Sequence, residues 1–131
     1  MNYRLLFLVS IFLLGSCTKD ADQLQLTRKM LVDKTWYLDY TVQDSQTKSF
    51  IGKNTYSIQF KIDGTTNDSD GIIGSFQIGR NEQQLVLLVE GKTQNGSPAN
   101  YTYQIEKIGQ ETLIITYTQN DLFIRKIFTT H

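Results

Sequence analysis

Among the groups in this chain that could do chemistry, the run Asn67-Asp68-Ser69-Asp70-Gly71 comes first. Alternating side-chain oxygens followed by glycine resemble half of a calcium loop, since calcium takes roughly six to eight oxygen ligands. The first ligand position would be Thr66 and the twelfth Gln77, where such a loop needs Asp and Glu. Asp, Asn and Ser favour turns on their own account, so an ordinary hairpin loop is expected and no metal site is assigned. The one histidine, His131, is the last residue, a poor place for a general base. Without a second His, neither a Ser-His-Asp triad nor a three-histidine zinc site can be built. No serine stands in Gly-x-Ser-x-Gly, and no glycine loop cradles a phosphate. Asp39 and Glu90 would be the carboxylate pair of a glycosidase, but both fit solvated positions on or at the end of a strand. No catalytic residue, enzyme activity or cofactor is therefore expected. The aromatics are more suggestive. Trp36, Tyr40, Tyr56, Phe60, Phe76, Tyr101, Tyr103 and Tyr117 fall largely on the predicted inward faces of strands. They would form either a packed core or the walls of a ligand cavity. Tyrosine hydroxyls must find partners when buried, and a cavity rim provides them.

The single cysteine, Cys17, follows Leu14-Gly15-Ser16. Before it come a short positive head, Asn2-Tyr3-Arg4, and an apolar stretch from Leu5 to Leu14 broken only by Ser10. This is the build of a secretory signal. The stretch is too short to span a bilayer, which takes roughly 20 residues. The whole resembles the signal peptide and lipobox of a bacterial lipoprotein. The resemblance implies cleavage after residue 16, diacylglycerol on the Cys17 sulfur and an acyl chain such as palmitate on its amine. Each buried CH₂ adds about 0.8 kcal/mol of membrane affinity, so two or three chains hold a protein durably. Thr18 rather than Asp follows the cysteine, so the common inner-membrane retention signal is missing and the outer membrane is expected. Residues 17–26, beginning Cys17-Thr18-Lys19-Asp20, read as a lipidated polar tether.

Removal of residues 1–16 leaves 115 of the 131 residues, the size of one domain, here residues 27–131 after the tether. Loss of Arg4 leaves 12 basic residues against 13 acidic ones, a net charge of −1. That balance argues against nucleic acid, which needs a basic patch, and against a polybasic membrane surface. With Cys17 lipidated no thiol is left, so the core alone must hold the fold.

Thr27 to Asp33 reads as a short helix, with Thr27 as its N-cap and Met30, Leu31 and Lys34 at helical spacing. After Trp36 the period becomes two. Trp36, Leu38, Tyr40 and Val42 alternate with polar neighbours, as do Tyr56, Ile58, Phe60 and Ile62 before the turn Asp63-Gly64. Five further runs follow: Gly71 to Ile78, Leu85 to Val89, Tyr101 to Ile105, Leu113 to Tyr117 and Leu122 to Thr129. Links such as Gln119 to Asp121 are short enough to make neighbours antiparallel. The expectation is an all-β, antiparallel up-and-down meander of seven or eight strands. Such a meander protects its edges best by closing into a barrel, with an open sandwich as the alternative. Leu85-Val86-Leu87-Leu88-Val89 and Leu113-Ile114-Ile115 are apolar on both faces and call for a cover, either the helix or a partner protein.

Leu31-Val32-Asp33-Lys34-Thr35-Trp36-Tyr37-Leu38, the strand Tyr56 to Gly64, Gly74-Ser75-Phe76-Gln77-Ile78 and Leu113-Ile114-Ile115-Thr116-Tyr117 stand in the order of a known pattern. They resemble the small lipocalin-like lipoproteins of Bacteroidetes over about residues 27–130. The resemblance implies a lipocalin-like, or calycin-like, β-barrel. It implies non-catalytic binding of a small apolar or amphipathic ligand, with Tyr40, Tyr56, Phe60, Tyr101, Tyr103 and Tyr117 as candidate wall residues. An accessory barrel that docks onto a larger envelope assembly is the rival. In place of the family's glycine before the tryptophan stand Asp33 and Lys34, and Asp33 is able to take a left-handed turn there. In lipocalins a late arginine packs across the first-strand tryptophan; Arg125 is the candidate to cover Trp36.

Overall fold

Thr, Val, Ile and aromatic residues at period two make the strands of this chain, and tight turns connect them. The computed structural model describes residues 19–44, 47–52 and 54–131, so Cys17 and the leader lie outside the described residues. A helix, α1, is described over residues 19–31. Nine strands follow: β1 (Lys34–Gln43), β2 (Thr47–Phe50), β3 (Ser57–Phe60), β4 (Thr65–Asp68), β5 (Ile73–Asn81), β6 (Gln84–Lys92), β7 (Pro98–Ile108), β8 (Thr112–Gln119) and β9 (Leu122–Thr129). Every pairing is antiparallel. The order β1-β3-β4-β5-β6-β7-β8-β9 closes through a β1–β9 pairing into an eight-stranded barrel, and β2 is an additional strand. The expected antiparallel barrel is therefore the fold, and the open sandwich is not.

β2 and β3 share one edge of β1. Tyr40 to Gln43 pair with β2, and Lys34 to Tyr37 pair with β3. Between them the wall is held by single bonds: Ile51 N donates to Asp39 O at 2.8 Å, and Leu38 N donates to Tyr56 O at 3.0 Å.

α1 is longer than the sequence suggests and takes in most of the segment read as a tether. Leu24, Thr27, Arg28 and Leu31 stand at the i, i+3, i+4, i+7 spacing of one face, and Thr27 and Leu31 are buried. Thr27 is thus no N-cap. It lies inside the helix, and its hydroxyl donates to Gln23 O four residues back at 2.8 Å. The helix ends where Asp33 takes φ 60°, the left-handed turn expected of it, and Asp33 N donates to Phe60 O at 2.9 Å.

α1 closes one end of the barrel. Arg28 reaches from it over the Phe76 ring at 4.9 Å and donates to Ile62 O at 3.0 Å. Arg80, at the end of β5, hydrogen-bonds Gln23 and lies 3.6 Å from Asp20. Above this plug sits a packed core of Leu31, Trp36, Phe60, Phe76, Leu87, Leu113 and Phe128, with Phe60 and Phe76 edge-to-face at 5.1 Å. On the outer face of β6 Val86 is buried and Leu88 stays 37% exposed.

Several strand expectations change, β2 among them, since no strand was expected over Thr47–Phe50. Ile62 belongs to the turn after β3, where Gly64 at φ 88° donates to Lys61 O, and not to a strand. β4 was not expected: Thr65-Thr66-Asn67-Asp68 contains no apolar residue. The loop read as starting at Asn67 starts after Asp68, whose Oδ1 accepts from Asp70 N at 3.0 Å and Ile72 N at 2.9 Å.

Candidate functional site

The barrel is packed at the helix end and open at the other. Aromatic residues pack the core in the closed half and line a cavity in the open half. The open half forms a cup of about 680 Å³ between the β4–β5 link, the start of β7, the end of β8 and the chain just before β3. This lies within the roughly 300–1,000 Å³ of small-molecule sites.

Tyr56, Tyr101, Tyr103 and Tyr117 line the cup, as their strand register foretells. Tyr101 and Tyr103 lie with nearly parallel rings at 5.7 Å, and Tyr103 meets Tyr117 edge-on at 5.4 Å. Such pairs contribute about 0.5–1.5 kcal/mol beyond the area they bury. Phe60 points inward too, but sits below the cup in the core at 2% exposure.

Tyr40 does not reach the cup. Leu38 pairs with Phe128 and Tyr40 with Ile127, so Asp39 is an extra residue in β1, a β-bulge. The alternation that carries Trp36 and Leu38 inward is inverted after it. Tyr40 lies on the outer face against Phe50, ring to ring at 5.3 Å, with Phe50 69% exposed.

Arg125 also faces outward. It pairs with Glu106 at 2.7 Å and does not cover Trp36. The cation found over the Trp36 ring among the described residues is Lys34, with Nζ 5.3 Å from the centroid. Asp39 and Glu90 stand on the outer faces of β1 and β6, on opposite sides of the barrel, and form no pair. His131 bonds exposed Glu111 at 3.0 Å, and that bond holds the Glu111 carboxyl below its usual range.

Of the cup residues that escaped sequence reading, two bear most on its chemistry. Lys126 of β9 projects inward between tyrosines, with Nζ 5.6 Å from the Tyr56 centroid and 5.4 Å from that of Tyr117. The signal was available: in β9, Ile124, Lys126 and Phe128 share a face, and Phe128 is core. The second is Asp68, whose Oδ2 accepts from the Tyr56 hydroxyl at 3.0 Å.

Burial sets the titration of the cup. It pushes the Tyr56 phenol up, and the charge and hydrogen bond of Asp68 push the same way. Burial, then neighbouring Tyr117 and Tyr101, raise Tyr103, and burial raises Tyr117. Lys126 is pulled below the ordinary lysine range by burial, against the opposing pull of Asp70 and Asp68. A phenol raised in the folded state holds its proton more tightly there than when unfolded. Its stabilising contribution is complete below about pH 10 and is lost as pH climbs towards the folded value. The urea midpoint is expected to fall between about pH 9 and pH 11, and to fall less in Tyr56→Phe. Equal falls in the two proteins would mean that the Tyr56 proton does not set the decline.

The chain matches no protein-family model, no curated protein and no solved structure. What defines it is its own architecture: a closed eight-stranded antiparallel barrel, plugged by a helix at one end and opening at the other into a tyrosine-lined cup.

Proposed function

We propose that this chain is an outer-membrane lipoprotein, anchored through acyl chains on Cys17, whose barrel binds a small apolar or amphipathic ligand without catalysing a reaction. The observation that carries the binding reading is the cup of about 680 Å³ with four tyrosines on its wall. A solid barrel has no such space, and the convergence of aromatic faces with a few polar groups is the usual make-up of a small-molecule site. The anchor rests on the lipobox pattern Leu14-Gly15-Ser16-Cys17, and the resemblance to Bacteroidetes lipocalin-like lipoproteins supports both halves.

A second reading, docking onto a larger envelope assembly, draws on the outer face, where Phe50 stands 69% exposed beside Tyr40.

One pair of masses tests all of this. Protein purified from its own envelope is weighed first denatured, then native. The denatured mass is expected to lack residues 1–16 and to carry acyl chains on Cys17. The native mass is expected to exceed it by one small molecule. An unmodified Cys17 with the leader still attached would end the anchor proposal. A native mass without excess, unchanged by a lipid and metabolite panel, would turn the reading to the docking barrel.

A further inference from the structure

Lys126 is the one basic residue among the described residues that line the cup. The cup also holds Asp68 and Asp70, so its wall carries charges of both signs. Asp68 is committed: one carboxylate oxygen accepts two backbone N–H groups and the other accepts the Tyr56 hydroxyl. Asp70 lies in the β4–β5 link at the mouth, beyond ion-pair distance of Lys126 but near enough for its charge to act on the ammonium. Among the described residues, neither carboxylate is within ion-pair distance of Lys126, and no acceptor hydrogen-bonds its ammonium. Three N–H donors therefore face the cup beside two ring faces, with Asp70 and Asp68 acting on the ammonium from beyond ion-pair distance. The hydroxyls of Tyr101, Tyr103 and Tyr117 likewise have no hydrogen-bond partner among the described residues. The remaining wall includes apolar Leu38, Ile51 and Ile72.

We propose that the cup is specific for a ligand with one carboxylate head and an apolar or aromatic body, the head held by Lys126 and the body laid against the tyrosines. This rests on the reading of the cup as a ligand site and adds the ligand's charge. A cationic ligand would set like charge beside Lys126. A neutral one would leave the ammonium with no directly bonded anion, only the more distant charges of Asp70 and Asp68. A second carboxylate would meet the repulsion of Asp70, which Lys126 could not offset a second time. One carboxylate completes the site through N⁺–H···O⁻ bonds of about 2.7–2.9 Å, with the free tyrosine hydroxyls as further donors.

The test compares phenylbutyrate with phenylbutanol, which share a body and differ in the head. Equilibrium dialysis of the full chain in detergent, against matching empty micelles, gives both dissociation constants. The acid is expected to bind about tenfold tighter or better. Lys126→Met should bring the two together by weakening the acid, while Lys126→Arg should keep the preference. Trp36 fluorescence checks that each variant is folded. Equal binding of acid and alcohol to the wild type, or a preference that survives in Lys126→Met, would overturn the inference and leave the cup a ligand site. Failure of both compounds to bind the folded wild type would count against the ligand-site reading itself, and the inference would fall with it.

Discussion

A Trp36→Ala chain is expected to lose about 3–5 kcal/mol of folding stability, the range for removing a large buried aromatic. Trp36 is 0% exposed and stands where the three parts of the closed end meet. It lies on β1 opposite Ile58 of β3, within the core formed by Leu31, Phe60 and Phe128. Its indole Nε1 donates to Leu31 O at 2.9 Å. That carbonyl belongs to the last turn of α1, where the helix supplies no donor of its own. The ring thus fills the barrel floor and caps the helix that closes it. A domain of this size is stable by only about 5–15 kcal/mol, so much of the margin would go. Trp36→Phe separates the two roles. It keeps an aromatic ring but leaves the Leu31 carbonyl without its donor, which costs about 1–3 kcal/mol for a buried group. Urea unfolding with an unchanged slope reads both values. A loss below about 1 kcal/mol for the alanine variant would mean that the floor repacks without the indole.

Much of this was legible in the residues. Period-two alternation located seven strands because their inward residues are apolar, and the short links fixed their antiparallel order. The features that escaped share a cause: polar residues in positions where burial or pairing, and not hydropathy, sets the conformation. β4 is invisible because Thr66 and Asp68 face inward as hydrogen-bonding groups. Thr66 is buried and donates to Gln59 O at 2.8 Å, and Asp68 accepts from Tyr56. The bulge at Asp39 leaves no mark on the pattern, since Tyr40 and Val42 continue a pleasing alternation while the backbone slips by one residue beneath them. The early part of α1 reads as a tether because Asp20, Asp22 and Gln23 are polar. Two of these, Asp20 and Gln23, meet Arg80 across the floor of the barrel. Lys126 was hidden by the habit of placing lysines in solvent; only its register with Phe128 assigns it to the cup.

Gly74 is the second position where one atom decides the outcome. Gly74→Ala is expected to destabilise by about 1–3 kcal/mol or more, as overpacking does when the obstacle is backbone. A Cβ there would stand 2.1 Å from Glu90 O and 2.6 Å from Gly91 Cα, and main chain cannot turn aside as a flexible side chain can. Gly74 and Gly91 face each other in the β5–β6 ladder, so a glycine pair lets the two strands bend closely over one another. Ile72, two residues before Gly74, is part of the cup wall, and its Cγ2 lies 2.8 Å from where a Cβ on Gly91 would stand. Any spreading of this pair would therefore move the wall that carries Ile72 and Asp70, and ligand binding should weaken along with stability. Gly79, on the same strand, is the control. A Cβ there meets nothing within 4 Å, so Gly79→Ala should be neutral or stabilising by up to about 1 kcal/mol through the unfolded chain. Thermal or urea midpoints that fall for Gly74→Ala and hold for Gly79→Ala would tie the shape of the cup to the close approach of β5 and β6. Equal midpoints would mean that the strands part there at no cost, and the mouth would owe its form to the β4–β5 link alone.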